Sequence, residues 1–179
     1  MLNQIKAQQI NIPKIENPTN NDDDIQKDSI LSVLRKQNKV VLIYNVGSAW
    51  DTQPIEYSII ALSNENKWNS YLYKKWVKKH ELFNTGMAED SIMKTWDAFV
   101  DNGLFEIKDE KDIVLNCPAT IQDGVEYNFM IITKNMYKRL HYEEPEYCEK
   151  NCSSVYERRQ IIKCIKILWP NFGNLTGQE

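Results

Sequence analysis

Apolar residues recur along the chain with two periods, and the switches between them mark where helices give way to strands. Between Asp28 and Gln37, Ile30, Leu31, Val33 and Leu34 form one stripe. Acids at Asp22–Asp24 precede it and Arg35, Lys36 and Lys39 follow, which suits a helix dipole. A second helix is expected from Asp90–Ser91, because Ile92, Trp96, Phe99 and Val100 keep a 3.6-residue period. Asn102-Gly103 supplies a left-handed stop, with Leu104 folding back on the last turn. A third helix opens at Ser154-Val155-Tyr156-Glu157, a capping box in which hydroxyl and carboxylate each satisfy an end amide. Its stripe is Val155, Ile161, Ile162, Ile165, Leu168 and Trp169, and Pro170 ends it.

Strands are expected between these helices. Val40 to Tyr44 is continuously apolar and reads as a central strand buried on both faces. Ile55 to Leu62 and Trp68 to Trp76 flank Asn64-Glu65-Asn66 as a hairpin. Short strands are expected at Ile113–Leu115 and Ala119–Ile121. Asp123-Gly124 then turns into Val125–Ile132, glycine supplying the positive φ of a tight turn. Lys134-Asn135 leads into Tyr137–Tyr142, and Pro145 prevents further pairing.

The two hairpins resemble each other. Ile55-Glu56-Tyr57-Ser58-Ile59-Ile60 matches Val125-Glu126-Tyr127-Asn128-Phe129-Met130 at an offset of 70. The order read from the chain is α-β-β-β, twice, and then a closing helix; the alternative is a chance likeness of two period-2 hairpins. Either way the class is α+β with a mainly antiparallel sheet. Residues 1–24, polar and interrupted by Pro13 and Pro18, are expected to form a flexible arm. Residues 25–179 are then one α+β domain, with pseudo-repeats at about 25–80 and 88–145 and a closing helix over 154–169.

Composition narrows the function. The 179 residues can hide roughly 70% of the unfolded chain's surface, enough for one core. Twenty-two basic against 25 acidic residues leave a net charge of −3, which argues against nucleic acid as the main partner. No apolar run reaches the roughly 18 residues of a membrane span. The first residues lack an apolar signal core, so a cytoplasmic protein is expected. Ala7-Gln8-Gln9 resembles the junction left by signal cleavage, and a periplasmic or exported protein is the alternative. The cysteines are Cys117, Cys148, Cys152 and Cys164. Their spacing matches no common zinc motif, so no metal is expected. A Cys148–Cys152 disulfide would need an oxidising compartment, and reduced thiols are the expectation, with Cys164 beside the helical stripe.

The chain carries no Gly-x-Ser-x-Gly, phosphate-cradling glycine loop or other nucleophile signature, and no cofactor is implied. Its two histidines are His80 and His141. The most distinctive stretch is Lys67 to His80, where Lys67, Lys74, Lys75, Lys78 and Lys79 interleave with Trp68, Tyr71, Tyr73 and Trp76. Alternation puts Trp68, Leu72 and Trp76 on one strand face and Tyr71, Tyr73 and Lys75 on the other. Such a strand can stack single-stranded nucleic acid, dock an acidic protein, or bury one ring face behind a lysine edge that discourages aggregation. The opposite charge gathers in Asp101 to Glu126, with seven acids against Lys108 and Lys111. Such polarity can guide a charged partner.

Several motifs together resemble small uncharacterised bacterial α+β proteins. They are Asn102-Gly103-Leu104-Phe105 after a Trp-bearing helix, Asp123-Gly124-Val125-Glu126-Tyr127-Asn128-Phe129, and Tyr137–Tyr142 with Pro145-Glu146-Tyr147 before a last helix. Some proteins of this kind are regarded as immunity partners of secreted bacterial toxins. The resemblance implies a non-enzymatic module that binds and occludes a protein, with aromatic anchors and charges setting orientation. The candidate contacts are Trp68, Tyr71, Tyr73 and Lys75, with the Trp50–Asp51 loop. The alternatives are a small hydrolase assembled around His80 or His141, and a single-strand nucleic-acid binder through Lys67–His80.

Overall fold

The computed structural model describes residues 10–19, 23–48, 54–113, 124–152 and 155–168. Helix α1 (Asp23–Lys27) leads into α2 (Ser29–Gln37), and then come strands β1 (Asn38–Ser48), β2 (Ile55–Ser63), β3 (Trp68–Lys75) and β4 (His80–Asn84). Helix α3 (Glu89–Asp101) and a 3₁₀ turn at Glu110–Asp112 follow, then β5 (Val125–Thr133), β6 (Tyr137–Glu143), α4 (Pro145–Asn151) and α5 (Tyr156–Leu168). The strands form one antiparallel sheet in the order β4-β3-β2-β1-β5-β6. The α+β class with a mainly antiparallel sheet and a C-terminal helix is therefore what the chain adopts.

Local chemistry sets the boundaries. Asp28 is the N-cap of α2, its Oδ1 accepting the amides of Ile30 (3.1 Å) and Leu31 (3.2 Å). At the end of α3 the Gly103 amide bonds the Val100 carbonyl and the Leu104 amide bonds that of Phe99. With Gly103 at φ +70° and Leu104 fully buried, this is the expected left-handed stop.

The sheet separates two cores. Val40, Leu42, Ile60, Phe129 and Ile131 face α3 and α5 through Trp96, Phe99, Ile161 and Ile165. Val41, Ile43, Ile59, Ala61 and Ile132 face α1 and α2 through Ile25, Leu31 and Leu34. The central place of β1 agrees with its unbroken apolar run, since Val40 to Ile43 are all fully buried.

Four expectations change. The polar segment 10–19 is not a free arm: Ile15 is buried in the α3-side core, and the Glu16 and Thr19 amides bond the carbonyls of Phe105 and Tyr137. Two short elements, α1 and α4, and the edge strand β4 escaped the periodicity because each spans only five to seven residues. Pro145, read as a strand stop, is also the first residue of α4, where its missing amide costs nothing. Ile113 lies outside any strand, while the rest of the two expected short strands, with Asp123 of the turn, lies outside the described residues, as does Ser154 of the capping box.

The duplication takes a different form. A second α-β-β-β unit would need its own strand beside β5, but β5 pairs directly with β1. Among the described residues the two hairpins thus share one central strand. Residues matched at the offset of 70 face opposite cores: Ile59 points to α2 and Phe129 to α3.

Candidate interaction face

Burial fades along the α1–α2 face of the sheet, and polar groups appear where it fades. On β1, Val41 and Ile43 are buried and the next residue on that face is Asn45. On β2 the series Ala61, Ile59, Tyr57 ends on a half-buried phenol, and on β5 Ile132, Met130, Asn128 ends on a half-buried amide. Asn45 stands opposite Asn128, and Asn128 opposite His141, whose Nδ1 lies 3.0 Å from the Asn128 side-chain oxygen. Arg139, on the same face of β6, is exposed. Burial raises the Tyr57 pKa, and Arg139 partly offsets that rise. Asn45 is 8% exposed and its Oδ1 has no hydrogen-bond partner among the described residues. Beyond this row Glu126 and Glu143 oppose each other directly. Like charges so placed are unfavourable in a sheet, so folding alone does not account for them.

Toward the other edge, Asp28 organises a buried polar cluster. Its Oδ2 accepts the Tyr73 hydroxyl, and lies 3.5 Å from His80 Nδ1 and 3.6 Å from Lys75 Nζ. The Tyr73 hydroxyl also meets His80 Nδ1 at 3.0 Å, and its ring stacks on Tyr57 at 5.6 Å. Burial first, and then the Asp28 hydrogen bond, push the Tyr73 pKa far up. Each Asp28 oxygen is already engaged, Oδ1 by the helix cap and Oδ2 by Tyr73. The cluster works as a clamp fastening α2 to β3 and β4.

The acidic stretch after α3 fastens the opposite edge. Asp109 and Glu110 side chains accept the amides of His141 (3.1 Å) and Glu143 (2.9 Å), and Glu110 pairs with the fully buried Arg158 at 3.3 Å. Lys138, also fully buried, donates to the Phe105 carbonyl at 2.8 Å, and desolvation lowers its pKa to about 8.

The residues singled out from sequence separate accordingly. Trp68 and Tyr73 are core residues, 6% and 1% exposed, so neither is a surface anchor. Period-2 alternation assigned their faces correctly, but α3 covers one face and α2 the other. Tyr71 is half-buried on the α2 side, and Lys75 reaches Asp28. Trp50 and Asp51 lie outside the described residues. The lysine run is partly neutralised through Lys74–Glu56, Lys75–Asp28 and Lys79–Glu81, which weakens it as a phosphate-binding track. His80 and His141 share a sheet face but occupy opposite edge strands, about 24 Å apart at normal strand spacing, and do not meet in one site. Asn45, Tyr57, Asn128 and Arg139 were missed because each is an ordinary member of an alternating strand. Only the register aligns them.

Among the described residues no group of three or more His, Cys, Asp or Glu side chains could hold a metal ion, and no helix is long and apolar enough to cross a membrane. Cys148 and Cys164 are buried free thiols, so the Cys148–Cys152 bond does not form, but Cys152 is disulfide-bonded. The expectation of reduced thiols throughout is thus overturned at Cys152. No protein-family model and no curated protein sequence matches this chain.

Proposed function

We propose that this chain is a non-enzymatic protein-binding module that acts by occluding its partner, as the resemblance to bacterial immunity proteins implies. One observation carries the reading: the α1–α2 face is left half open beside a row that combines Tyr57, Asn45, Asn128 and His141 with the exposed Arg139. Tyrosine and arginine are the side chains that most often anchor protein interfaces. The half-buried Asn128 amide and His141 imidazole offer directional hydrogen bonds at the same place. Tyr71 and Lys75 border this surface and retain their proposed contact role. The opposed Glu126 and Glu143 supply a negative corner and the exposed Arg139 a positive charge beside it, so the surface has an electrical direction that can orient a docking protein. The clamp at Asp28 makes the face rigid before any partner arrives, which lowers the entropy cost of binding.

The disulfide at Cys152 supports an oxidising compartment, hence the periplasmic or exported alternative over the cytoplasm. The test is calorimetry against the product of the adjacent gene, the expected cognate toxin. Tyr57→Ala and Arg139→Ala should each weaken binding by about tenfold or more, roughly 1.4 kcal/mol, with the unfolding midpoint unchanged for the exposed Arg139 and lowered for the half-buried Tyr57, whose variant is compared while still folded. Unchanged affinity in both variants would reject this face, and no binding by the unaltered protein would reject the partner.

A further inference from the structure

The two edges of the sheet are treated differently. Along β6 the outward backbone groups are occupied: Thr19 Oγ1, Asp109 and Glu110 accept the amides of Arg139, His141 and Glu143, and the Thr19 amide bonds the Tyr137 carbonyl. Among the described residues the β4 edge carries no such cover. Its pairing with β3 fixes which groups face outward. The Thr85 amide bonds the Ser70 carbonyl at 3.0 Å, and the Trp76 amide bonds that of Lys79 at 2.8 Å. Hydrogen-bonded and non-bonded pairs alternate in an antiparallel ladder, so the pairs Phe83/Leu72 and Glu81/Lys74 between them are the bonded ones. The backbone groups of His80, Leu82 and Asn84 therefore point away from the sheet, an open template for another strand.

We propose that β4 is the interface between two copies of this chain, paired antiparallel with Leu82 on the two-fold axis, so that two six-stranded sheets become one. The sequence is self-complementary in that register. Leu82 meets Leu82 and His80 meets Asn84, so all three outward-facing residues exchange backbone hydrogen bonds. Glu81 stands opposite Phe83, which brings the two half-exposed Phe83 rings into diagonal contact. Lys79 falls opposite Thr85, away from like charge. A two-fold centred on Glu81 would instead oppose two carboxylates, which disfavours it. The pairing thus covers Phe83, the exposed large apolar side chain of β4, and satisfies the open edge. It does not involve the Tyr57–His141 row and stands apart from the binding role proposed there.

The experiment is analytical ultracentrifugation of the full chain from micromolar to millimolar concentration, with amide exchange read by NMR. The expected result is a concentration-dependent shift from the mass of one chain to twice that mass, with the His80, Leu82 and Asn84 amides protected only in the dimer. Leu82→Pro removes an amide hydrogen that the fold itself does not use, and proline is tolerated at such edge positions, so the variant should fold but remain monomeric. Phe83→Lys, made without altering the backbone, brings two like charges into diagonal contact and should likewise give a monomer should the proline variant fail to fold. A protein monomeric at every concentration overturns the proposal. So does a dimer that persists in either folded variant, or protection of these amides only when a different protein is added.

Discussion

Asp28 and Tyr73, 45 residues apart in sequence, meet in a buried hydrogen bond that ties the start of α2 to the third strand of the sheet. The same carboxylate caps the helix through its other oxygen. Asp28→Ala should remove a cap worth about 1 kcal/mol and leave the Tyr73 hydroxyl without its acceptor, at a further roughly 1–3 kcal/mol. Urea unfolding should therefore show a loss of about 2–4 kcal/mol, with Asp28→Asn losing less because the amide oxygen can still cap. Equal losses in the two variants would mean that the charge is what matters, and a loss under about 0.5 kcal/mol would dissolve the clamp altogether.

Trp68 separates a core role from a surface one. Its ring packs on Trp96 at a centroid distance of 5.1 Å, and its Nε1 has no hydrogen-bond partner among the described residues. Trp68→Ala should cost about 3–5 kcal/mol through the cavity it leaves. Trp68→Phe should cost much less, because the smaller ring also removes a buried donor that is unsatisfied. Val77→Ala, at an exposed turn, should stay within about 0.5 kcal/mol. Chemical denaturation of the three variants checks the order; a tolerant Trp68→Ala would return this residue to the list of surface contacts.

Much of the fold was legible because its signals are local. The Ile92, Trp96 and Phe99 stripe announced α3, Gly103 its end, and Val40–Tyr44 the buried central strand. The interaction face was not legible, because no local signal brings Asn45, Asn128 and His141 together. Asn128 and His141 meet across the β5–β6 hairpin, but Asn45 joins them only because the other side of β5 pairs with β1, a choice made by tertiary packing. The aromatic-basic strand misled for the same reason. Alternation showed which way Trp68 and Tyr73 point, but whether a helix covers that face is decided by α2 and α3, elements distant in sequence.

The thiols should sort by environment. Cys164 is fully buried on α5, and desolvation raises its pKa to about 12; Cys148 is nearly buried and shifted upward as well. A thiol reagent that needs the thiolate should leave both unmodified in the folded protein at neutral pH, and should react once the chain unfolds. Reducing the Cys152 disulfide should lower the unfolding midpoint, typically by the equivalent of about 2–4 kcal/mol. A reagent count taken before and after denaturation, with and without reductant, measures both. Fast modification of Cys148 in the folded state would show that α4 opens readily.

Stability should rise and then fall on the alkaline side, and buried groups set both limbs. Lys138 has its pKa lowered from an ordinary 10.5 to about 8, chiefly by desolvation. Between those values the unfolded chain binds more protons than the folded one, so its contribution to stability grows as pH rises from 8 toward 10.5. Tyr73, Tyr127 and Tyr142 are shifted the other way, upward from 10.0 and mainly by burial. Above pH 10 the unfolded chain sheds these phenolic protons while the folded chain keeps them, so stability falls. The unfolding midpoint should therefore climb between about pH 8 and 9, turn over as the unfolded chain begins to ionise Cys148 and Cys164 above 9 while the buried thiols keep their protons, and decline further beyond pH 10. Lys138→Met isolates the first limb. The Phe105 carbonyl that Lys138 bonds also accepts the Glu16 amide, so it keeps a partner after the substitution. The variant should be at least as stable as the parent at pH 7, by up to about 3 kcal/mol, and should lose the climb while retaining the decline. Thermal melts from pH 7 to 11 decide it: a climb that survives in Lys138→Met would have to come from another group, and a strongly destabilised variant would show that the ammonium is held by more than one carbonyl.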